Sequence, residues 1–142
     1  MRIRIRRSDY EAIVAYAKAN LPEEACGLIA GTKTDDGERR IEKVYFLENI
    51  DHTNEHFSMS PKDQLKAVKD MRGRGLSPLG NWHSHPETPS RPSQEDIRLA
   101  YDSTASYLIL SLMDPDAPVL NAFSVKDGAA VKETLVIAGD PQ

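Results

Sequence analysis

The sequence predicts a single α/β domain in which a mixed β-sheet is flanked by about three helices. Short segments with strand periodicity are interleaved with segments of helical periodicity, and their order does not follow a strict βαβ repeat. The chain has 142 residues, which is enough for one hydrophobic core and too few for two. No repeat, low-complexity block or linker divides it, so we expect one domain over residues 1–142.

The first strand and the first helix are predicted at the start of the chain. Isoleucines alternate with arginines over residues 1–6, which is typical of a strand with one apolar face. Charged side chains of this kind commonly protect the edge strand of a sheet, so an edge position is expected. Ser8 and Glu11 have the spacing of a capping box, which predicts a helix that begins at Ser8 and is closed by Pro22.

The remaining elements follow from turn, capping and periodicity signals. Ser60 and Pro61 have the positions of an N-cap and a first helical residue, which predicts a second helix over residues 61–72. A third helix is expected over residues 94–101, and the polar segment 49–57 is expected to be a loop. Six further strands are predicted over residues 25–30, 40–47, 79–84, 106–112, 119–125 and 129–137.

Composition excludes several classes of function. Eighteen Lys and Arg residues against 22 Asp and Glu residues give a net charge of −4, which does not suit a nucleic acid as partner. No apolar stretch suggests a membrane segment or a signal peptide, and Cys26 is the single cysteine. The expected compartment is therefore a reducing cytoplasm.

Two histidines at the end of a predicted buried strand are the strongest chemical signal. His83 and His85 lie on one face of that strand, with Cα atoms roughly 6.5 to 7 Å apart, so both imidazoles can converge on one metal ion. Asp96 follows in the first turn of the third helix, and a proline-rich turn can bring it back to the strand end. Two His and one Asp leave a fourth tetrahedral position for water, which indicates a catalytic zinc site.

Each part of this pattern has a structural alternative. A His-x-His pair by itself is more often a surface or hydrogen-bonded feature than a metal site. Ser93 and Asp96 also have the spacing of a capping box, which needs no metal to explain it. The conjunction of paired histidines, an immediate proline, a rigid turn and a polar helix start favours the metal.

The same residues resemble a known family. His83-Ser84-His85-Pro86, six further residues, then Ser93 and Asp96 at the spacing S-x-x-D, resemble the JAMM motif of the MPN-domain (MPN+) zinc metallopeptidases. Glu24-Ala25-Cys26-Gly27 matches the upstream Glu-x-Cys-Gly segment of that family, and the resemblance to its compact bacterial members spans essentially the whole chain. It implies a JAB1/MPN-like fold with a cytidine-deaminase-like architecture.

The resemblance also implies a role for each motif residue. His83, His85 and Asp96 would bind one Zn²⁺ per chain together with a catalytic water. Glu24 would be the general base, with the adjacent Glu23 as its competitor, and Ser93 would donate a hydrogen bond to the oxyanion.

The implied reaction is peptide or isopeptide hydrolysis after the C-terminal Gly-Gly of a small ubiquitin-like sulfur carrier protein. The setting would be sulfur transfer or sulfur amino-acid synthesis, with a leaving residue such as cysteine or homocysteine. The carrier's tail is expected to add a strand beside the active-site sheet. The choice of carrier, the bond type and the oligomeric state, monomer or homodimer, stay open.

Three competing interpretations were weighed. A non-catalytic MPN-type scaffold, or module that binds ubiquitin-like proteins, is the main alternative, although inactive members characteristically lose ligands. A zinc deaminase would need a P-C-x-x-C element that a chain with one cysteine lacks. The segment His52-Thr53-Asn54-Glu55-His56 matches the H-x-x-E-H signature, but that signature requires a helix and this segment is predicted to be a polar loop.

Overall fold

The computed structural model of the protein describes residues 2–139. These residues form seven strands and three helices in this order: β1 (Arg2–Arg6), α1 (Arg7–Ala19), β2 (Cys26–Lys33), β3 (Arg39–Leu47), α2 (Pro61–Gly73), β4 (Ser77–His85), α3 (Gln94–Leu99), β5 (Ser106–Ser111), β6 (Val119–Lys126) and β7 (Ala129–Ala138). The predicted order and type of these elements are confirmed. Met1, expected within the first strand, lies outside the described residues. Within them, no helix has the length and apolar character needed to cross a membrane.

The sheet is mixed, as predicted, but it closes into a barrel. The strand order is β1-β3-β2-β4-β5-β6-β7, and β7 pairs back to β1. β1 runs parallel to both of its neighbours, β4 runs parallel to β5, and the other pairs are antiparallel. Closure follows from the twist that adjacent strands accumulate, a property of the whole sheet that no single segment reveals.

The prediction that the first strand lies at an edge was wrong. β1 pairs along its whole length with β7 and at Ile3 and Arg4 with β3. Its arginines bind acidic partners within the barrel instead: the Nε atoms of Arg2 and Arg4 lie 3.4 and 3.0 Å from the carboxylate of Glu38. The hydrogen bond from Arg4 is the main cause that holds the pKa of Glu38 below its ordinary value.

The two faces of the sheet carry separate clusters of buried residues. On β2, Ile29 belongs to the main core, to which α1 contributes Ile13 and Ala17. The next residue, Ala30, points to the opposite face and packs against Met71 of α2. The helices therefore cover both faces of the sheet, which confirms the expected flanking arrangement.

Helix boundaries differ from the prediction at four ends, one of which is the end of α2 at Gly73 rather than at residue 72. α1 begins at Arg7 because β1 continues into it without a loop, so Ser8 already lies in the first turn and the expected capping box is absent. The same helix ends at Ala19, short of Pro22. α3 ends at Leu99 rather than at residue 101. The predicted N-cap of α2 is confirmed, since the Ser60 side chain accepts a hydrogen bond from the Asp63 backbone N–H.

Close backbone contacts pack β2 against β3 and β4 against β5. A Cβ on Gly27 would lie 1.7 Å from the Tyr45 carbonyl oxygen, and one on Gly80, where φ is +152°, would lie 1.8 Å from that of Ser106. Trp82 is fully buried and donates its indole N–H to the Tyr45 carbonyl at 3.0 Å. Trp82 thus belongs to the core beneath the histidines. The position of β4 in the sheet is thereby fixed.

Candidate active site and metal centre

Three side chains from the end of β4 and the start of α3 converge on one point. The Nε2 atoms of His83 and His85 lie 3.0 Å apart, and Oδ2 of Asp96 lies 3.2 Å from the first and 3.0 Å from the second. Among residues 2–139 this is the one group of three or more His, Cys, Asp or Glu side chains whose ligand atoms could hold a metal ion. The structure thus brings together the three ligands that the sequence indicated.

His83 and His85 are adjacent because alternate residues of a strand share a face. His85 Nδ1 lies 2.9 Å from the carbonyl oxygen of Pro89, so its proton resides on Nδ1 and the Nε2 lone pair faces the group. The His83 ring stacks on Phe57, with ring centroids 4.7 Å apart and an interplanar angle of 26°. Both rings are therefore held with Nε2 directed at the same point.

The turn between the histidines and Asp96 is anchored to the neighbouring strands. Ser111 of β5 donates its hydroxyl to the Thr88 carbonyl, and Ser90 donates its own to the Ile109 carbonyl, both at 2.6 Å. Asn121 of β6 donates to the Ser90 carbonyl at 3.2 Å. These hydrogen bonds hold the turn in the conformation that brings Asp96 back to the histidines, which the prolines alone only suggested.

Asp96 has two roles in this arrangement. It forms the predicted capping box of α3, in which its Oδ2 accepts from the Ser93 backbone N–H at 2.9 Å and its own N–H donates to Ser93 Oγ at 3.0 Å. The same Oδ2 faces both imidazoles. The capping and ligand interpretations of Ser93 and Asp96 are therefore compatible, and the cap orients the carboxylate toward the histidines.

The donor set fits a tetrahedral zinc ion. Bonds of about 2.0 to 2.1 Å at tetrahedral angles place neighbouring ligand atoms roughly 3.3 Å apart, close to the separations seen here. A neutral His85 protonated on Nδ1 presents a lone pair to the Asp96 carboxylate, so two acceptors face each other at 3.0 Å. A cation bound between the two acceptors removes this repulsion. Protons shared among the two Nε2 atoms and Asp96 Oδ2 would relieve it only in part.

The charge states of His83 and Asp96 suit a metal ligand set, whereas that of His85 makes metal binding depend on pH. Burial lowers the pKa of His83 and favours the neutral imidazole. Burial opposes ionisation of Asp96, but hydrogen bonds from His83 and His85 hold its pKa well below the ordinary value. Burial also lowers the pKa of His85, yet its hydrogen bonds with Asp96 and with the Pro89 carbonyl outweigh this and raise it. Protonation of His85 would therefore oppose the binding of a cation by this group.

Glu24 is the better placed of the two candidate bases. It is 4% exposed, and its Oε1 is buried without a hydrogen-bond partner among residues 2–139. Its backbone is fixed by an N–H donated to the Thr53 carbonyl at 2.8 Å and by Asn49, whose side-chain amide donates to its carbonyl at 3.0 Å. Glu23 points away and lies 3.4 Å from Nδ1 of His52 at the surface.

The environment of Glu24 favours its protonated form in the absence of metal. Burial is the main cause that raises the pKa of this carboxyl from its ordinary value of 4.5 to about 8. The His85 charge lowers the pKa, and the Asp96 carboxylate raises it further. A carboxyl whose pKa lies near neutrality can both take and return a proton.

Sequence reasoning missed two residues that shape the site. Ser84 is fully buried between the two histidines, and its Oγ accepts a hydrogen bond from the Ala25 backbone N–H at 2.8 Å, next to Glu24. Phe57, at the end of the segment predicted to be a polar loop, stacks on His83. The loop that carries Phe57 comes from a distant part of the chain, and no local pattern predicts where such a loop packs.

The two remaining histidines and the single cysteine are not part of this ligand group. The segment from His52 to His56 is irregular, as predicted, and each histidine lies beside a surface carboxylate, His52 near Glu23 and His56 near Asp51. Cys26 is fully buried, and burial is the main cause that raises the pKa of its thiol to about 12. A thiol with this pKa is not a nucleophile at neutral pH.

Comparison with known proteins identifies the family. Residues 6–126 match the family model described as prokaryotic homologs of the JAB domain. The CysO-cysteine peptidase of Mycobacterium tuberculosis is 32% identical over 129 residues, covering 91% of this chain and 86% of that protein. The probable TtuB-protein conjugate cleaving protease of Thermus thermophilus is 35% identical over 98 residues, covering 68% of this chain and 62% of that protein.

A solved structure extends the similarity to the fold. The solution structure of a protein from Desulfitobacterium hafniense has a TM-score of 0.89 to this chain at 47% identity, and the match covers 97% of this chain and 94% of that one. The resemblance to the JAMM/MPN+ proteins is thereby confirmed. The predicted likeness to the cytidine deaminases stays a prediction. The chain belongs to the family of prokaryotic homologues of the JAB domain, and within that family it is a peptidase.

Proposed function

We propose that this peptidase is zinc-dependent and hydrolyses the bond after the C-terminal Gly-Gly of a small ubiquitin-like sulfur carrier protein. The observation that carries the proposal is the convergence of His83, His85 and Asp96 on one point, with the buried carboxyl of Glu24 nearby. Zinc held by these three side chains would supply the Lewis acidity that lowers the pKa of water towards about 7 and polarises the substrate carbonyl. The chain's own residues would perform the remaining steps.

Glu24 would move the proton. Its unpartnered Oε1 would accept a proton from the attacking water and hold it in a site from which solvent is largely excluded. The same carboxyl would then return the proton to the leaving amine, which must be protonated before it can depart. Burial raises the pKa of this carboxyl in the metal-free site, and a bound zinc ion would lower it again towards neutrality, where a carboxyl can both take and return a proton.

Ser93 would stabilise the charge that develops on the scissile carbonyl oxygen. Its Oγ accepts the Asp96 N–H with a lone pair, so the hydroxyl proton is not used in the cap. Ser93 is exposed at the start of α3, where a substrate can reach it. Donation of this proton to the carbonyl oxygen would contribute an oxyanion-type hydrogen bond.

The substrate class is inferred from the relatives and from the shape of the site. One relative is named for a CysO-cysteine bond and another for conjugates of TtuB, so a small carrier protein supplies the acyl side in the proposal. β4 pairs with β2 on one side and with β5 on the other, so it offers no free edge for an added strand. β4 itself therefore does not accept the added strand, and the expected strand addition beside the active-site sheet stays a prediction. An extended tail ending in glycine can instead cross the ligand group without side chains that collide with it.

The wider biological setting is part of the proposal. A carrier that loses a residue after Gly-Gly belongs to sulfur transfer or sulfur amino-acid synthesis, and both peptide and isopeptide bonds fit the site. We expect one domain, acting as a monomer or homodimer. Cys26 is a buried free thiol, a form that the proposed cytoplasmic location would preserve.

The test is cleavage of a purified carrier extended beyond Gly-Gly, followed by intact mass. Zinc-loaded protein is expected to release the extension, chelation to stop the reaction, and added zinc to restore it. As a matched substrate, the same carrier with its two terminal glycines replaced by valines should be cut at least about tenfold more slowly. Protein that binds zinc and retains the carrier uncut would support the scaffold alternative and refute the proposal.

A further inference from the structure

A small apolar pocket lies directly beside the ligand group. It shares two of its walls with that group, His83 and Asp96. Its volume is about 50 Å³. The other lining side chains come from the loop before α2, from α3 and from three strands: Phe57, Asn81, Pro92, Leu99, Tyr107, Ile109 and Val125.

The position of the pocket follows from the register of the strands. Asn81 and His83 alternate on β4 and therefore share its outer face, while Tyr107 and Ile109 are their partners on the parallel strand β5. Leu99 of α3 forms another wall. Glu24 lies at the edge of β4 that faces β2. It precedes Cys26 of β2, and Cys26 pairs with His83. The pocket and the candidate base thus flank the ligand group from opposite sides.

The lining specifies the chemistry of an occupant. Apart from the two metal-ligand side chains, every wall is neutral, and all but Asn81 and the Tyr107 hydroxyl are apolar. A charged side chain would lose its hydration there, and Asp96, the one charged wall, is committed to the proposed metal. Asn81 Oδ1 is buried and has no hydrogen-bond partner among residues 2–139, so one weak donor on the occupant could be satisfied. The site suits a neutral and mainly apolar group.

The volume limits the size of that group. Since one water needs about 10 to 15 Å³ of such space, the pocket holds a few waters, or the equivalent of a short side chain. An aromatic ring would have to displace Phe57 or Leu99. The occupant is therefore compact.

We propose that this pocket binds the side chain of the residue that follows the scissile bond and selects a compact, uncharged one, of the size of cysteine or valine. This rests on the proposed function, in which the acyl side ends in two glycines. Glycine has no side chain to fill a pocket, so the first side chain that can reach a wall formed by His83 and Asp96 belongs to the leaving residue. Leu99 is then a specificity-determining residue, since it is the wall that α3 supplies.

The experiment measures kcat/KM for carriers that end in Gly-Gly followed by one variable residue. The series contains glycine, cysteine, valine, aspartate, lysine and tryptophan, and a separate substrate carries lysine joined through its side chain. Cysteine and valine are expected to exceed aspartate, lysine and tryptophan by about tenfold or more. Leu99→Trp should lower the valine-to-glycine ratio of kcat/KM by about tenfold, because the indole would fill the pocket.

A matched control separates a pocket effect from a general one. Leu65 is a similarly exposed leucine, 55% against 45% for Leu99, on α2 and outside the pocket. Leu65→Trp should leave the valine-to-glycine ratio unchanged. Equal cleavage of all variable residues, cleavage of the side-chain-linked substrate alone, or an unchanged ratio in Leu99→Trp would overturn the pocket assignment while leaving the proposed function intact. Cleavage of none of the carriers would refute the proposed function, and the pocket assignment with it.

Discussion

Replacement of Glu24 by glutamine gives a sharp test, because it should abolish activity and stabilise the metal-free fold at the same time. Glutamine has nearly the same shape as a protonated glutamate but cannot carry a proton between water and a leaving amine. Loss of a general base typically costs about 10²- to 10⁴-fold in rate. Zinc content should not change, because Glu24 is not among the three side chains that converge on the metal position.

The effect on stability follows from the raised pKa. The folded pKa of about 8 lies above the ordinary value of 4.5, so between these pH values the folded chain binds more protons than the unfolded chain. The free energy of unfolding therefore falls as pH rises from about 4.5 to about 8. At about 1.36 kcal/mol per pKa unit, the loss attributable to Glu24 has an upper limit of about 5 kcal/mol. Glutamine removes this loss.

The assay is denaturant unfolding of chelator-treated protein at about pH 5 and about pH 8.5. Glu24→Gln should be more stable than wild type at the higher pH by a few kcal/mol, within the limit of about 5 kcal/mol set by the pKa shift, and should show a flatter pH dependence. Glu23→Gln is the matched control, since Glu23 is at the surface beside His52, and its stability should stay within about 0.5 kcal/mol of wild type. A Glu24→Gln protein that cleaves within about tenfold of the wild-type rate, or that is less stable than wild type at the higher pH, would refute the reasoning.

Three further predictions concern the metal and its surroundings. His83→Ala should lose zinc, measured by atomic absorption after gel filtration. His52→Ala should keep it, because His52 lies beside the surface carboxylates of Glu23 and Glu48. Equal zinc content in both variants would contradict the assigned ligands. Ser84→Ala should lower kcat and keep zinc. The reason is that the Ala25 N–H, next to the candidate base, loses its buried acceptor at a cost of about 1 to 3 kcal/mol. An unchanged kcat would show that this contact does not position the base. Zinc affinity should weaken as pH falls from about 7.5 to about 5.5, because the raised pKa of His85 favours the protonated ring. Competition with a chromogenic chelator measures this affinity. An affinity that does not change over this interval would contradict the assignment of His85 as a ligand.

The elements that lead to the site were predictable because their signals are local. The order of strands and helices follows from periodicity and turn residues, and the spacing of two on a strand is enough to place His83 and His85 on one face. The helix boundaries were less accurate. Whether β1 runs directly into α1 depends on where the strand packs, and Ser8 carries no sign of this in its own neighbourhood.

Contacts between distant segments could not be predicted. The choice of Glu24 over Glu23 depends on burial against β4 and on the loop that contains Thr53. The hydrogen bonds from Ser111 and Asn121 that return the chain to the histidines depend on β5 and β6 being adjacent to the turn. The apolar pocket is formed by several segments of the chain, each of which is unremarkable by itself.

The sequence by itself determined the chemistry of this protein, and the tertiary structure decided where that chemistry can act. Residue types and short spacings specified three candidate metal ligands, an upstream glutamate and a capped helix, because strand and helix periodicity act over a few residues. Closure of the barrel, the burial of one glutamate rather than its neighbour, and the pocket beside the ligands required the whole fold. Burial and the effective dielectric around a group are set by every segment packed against it.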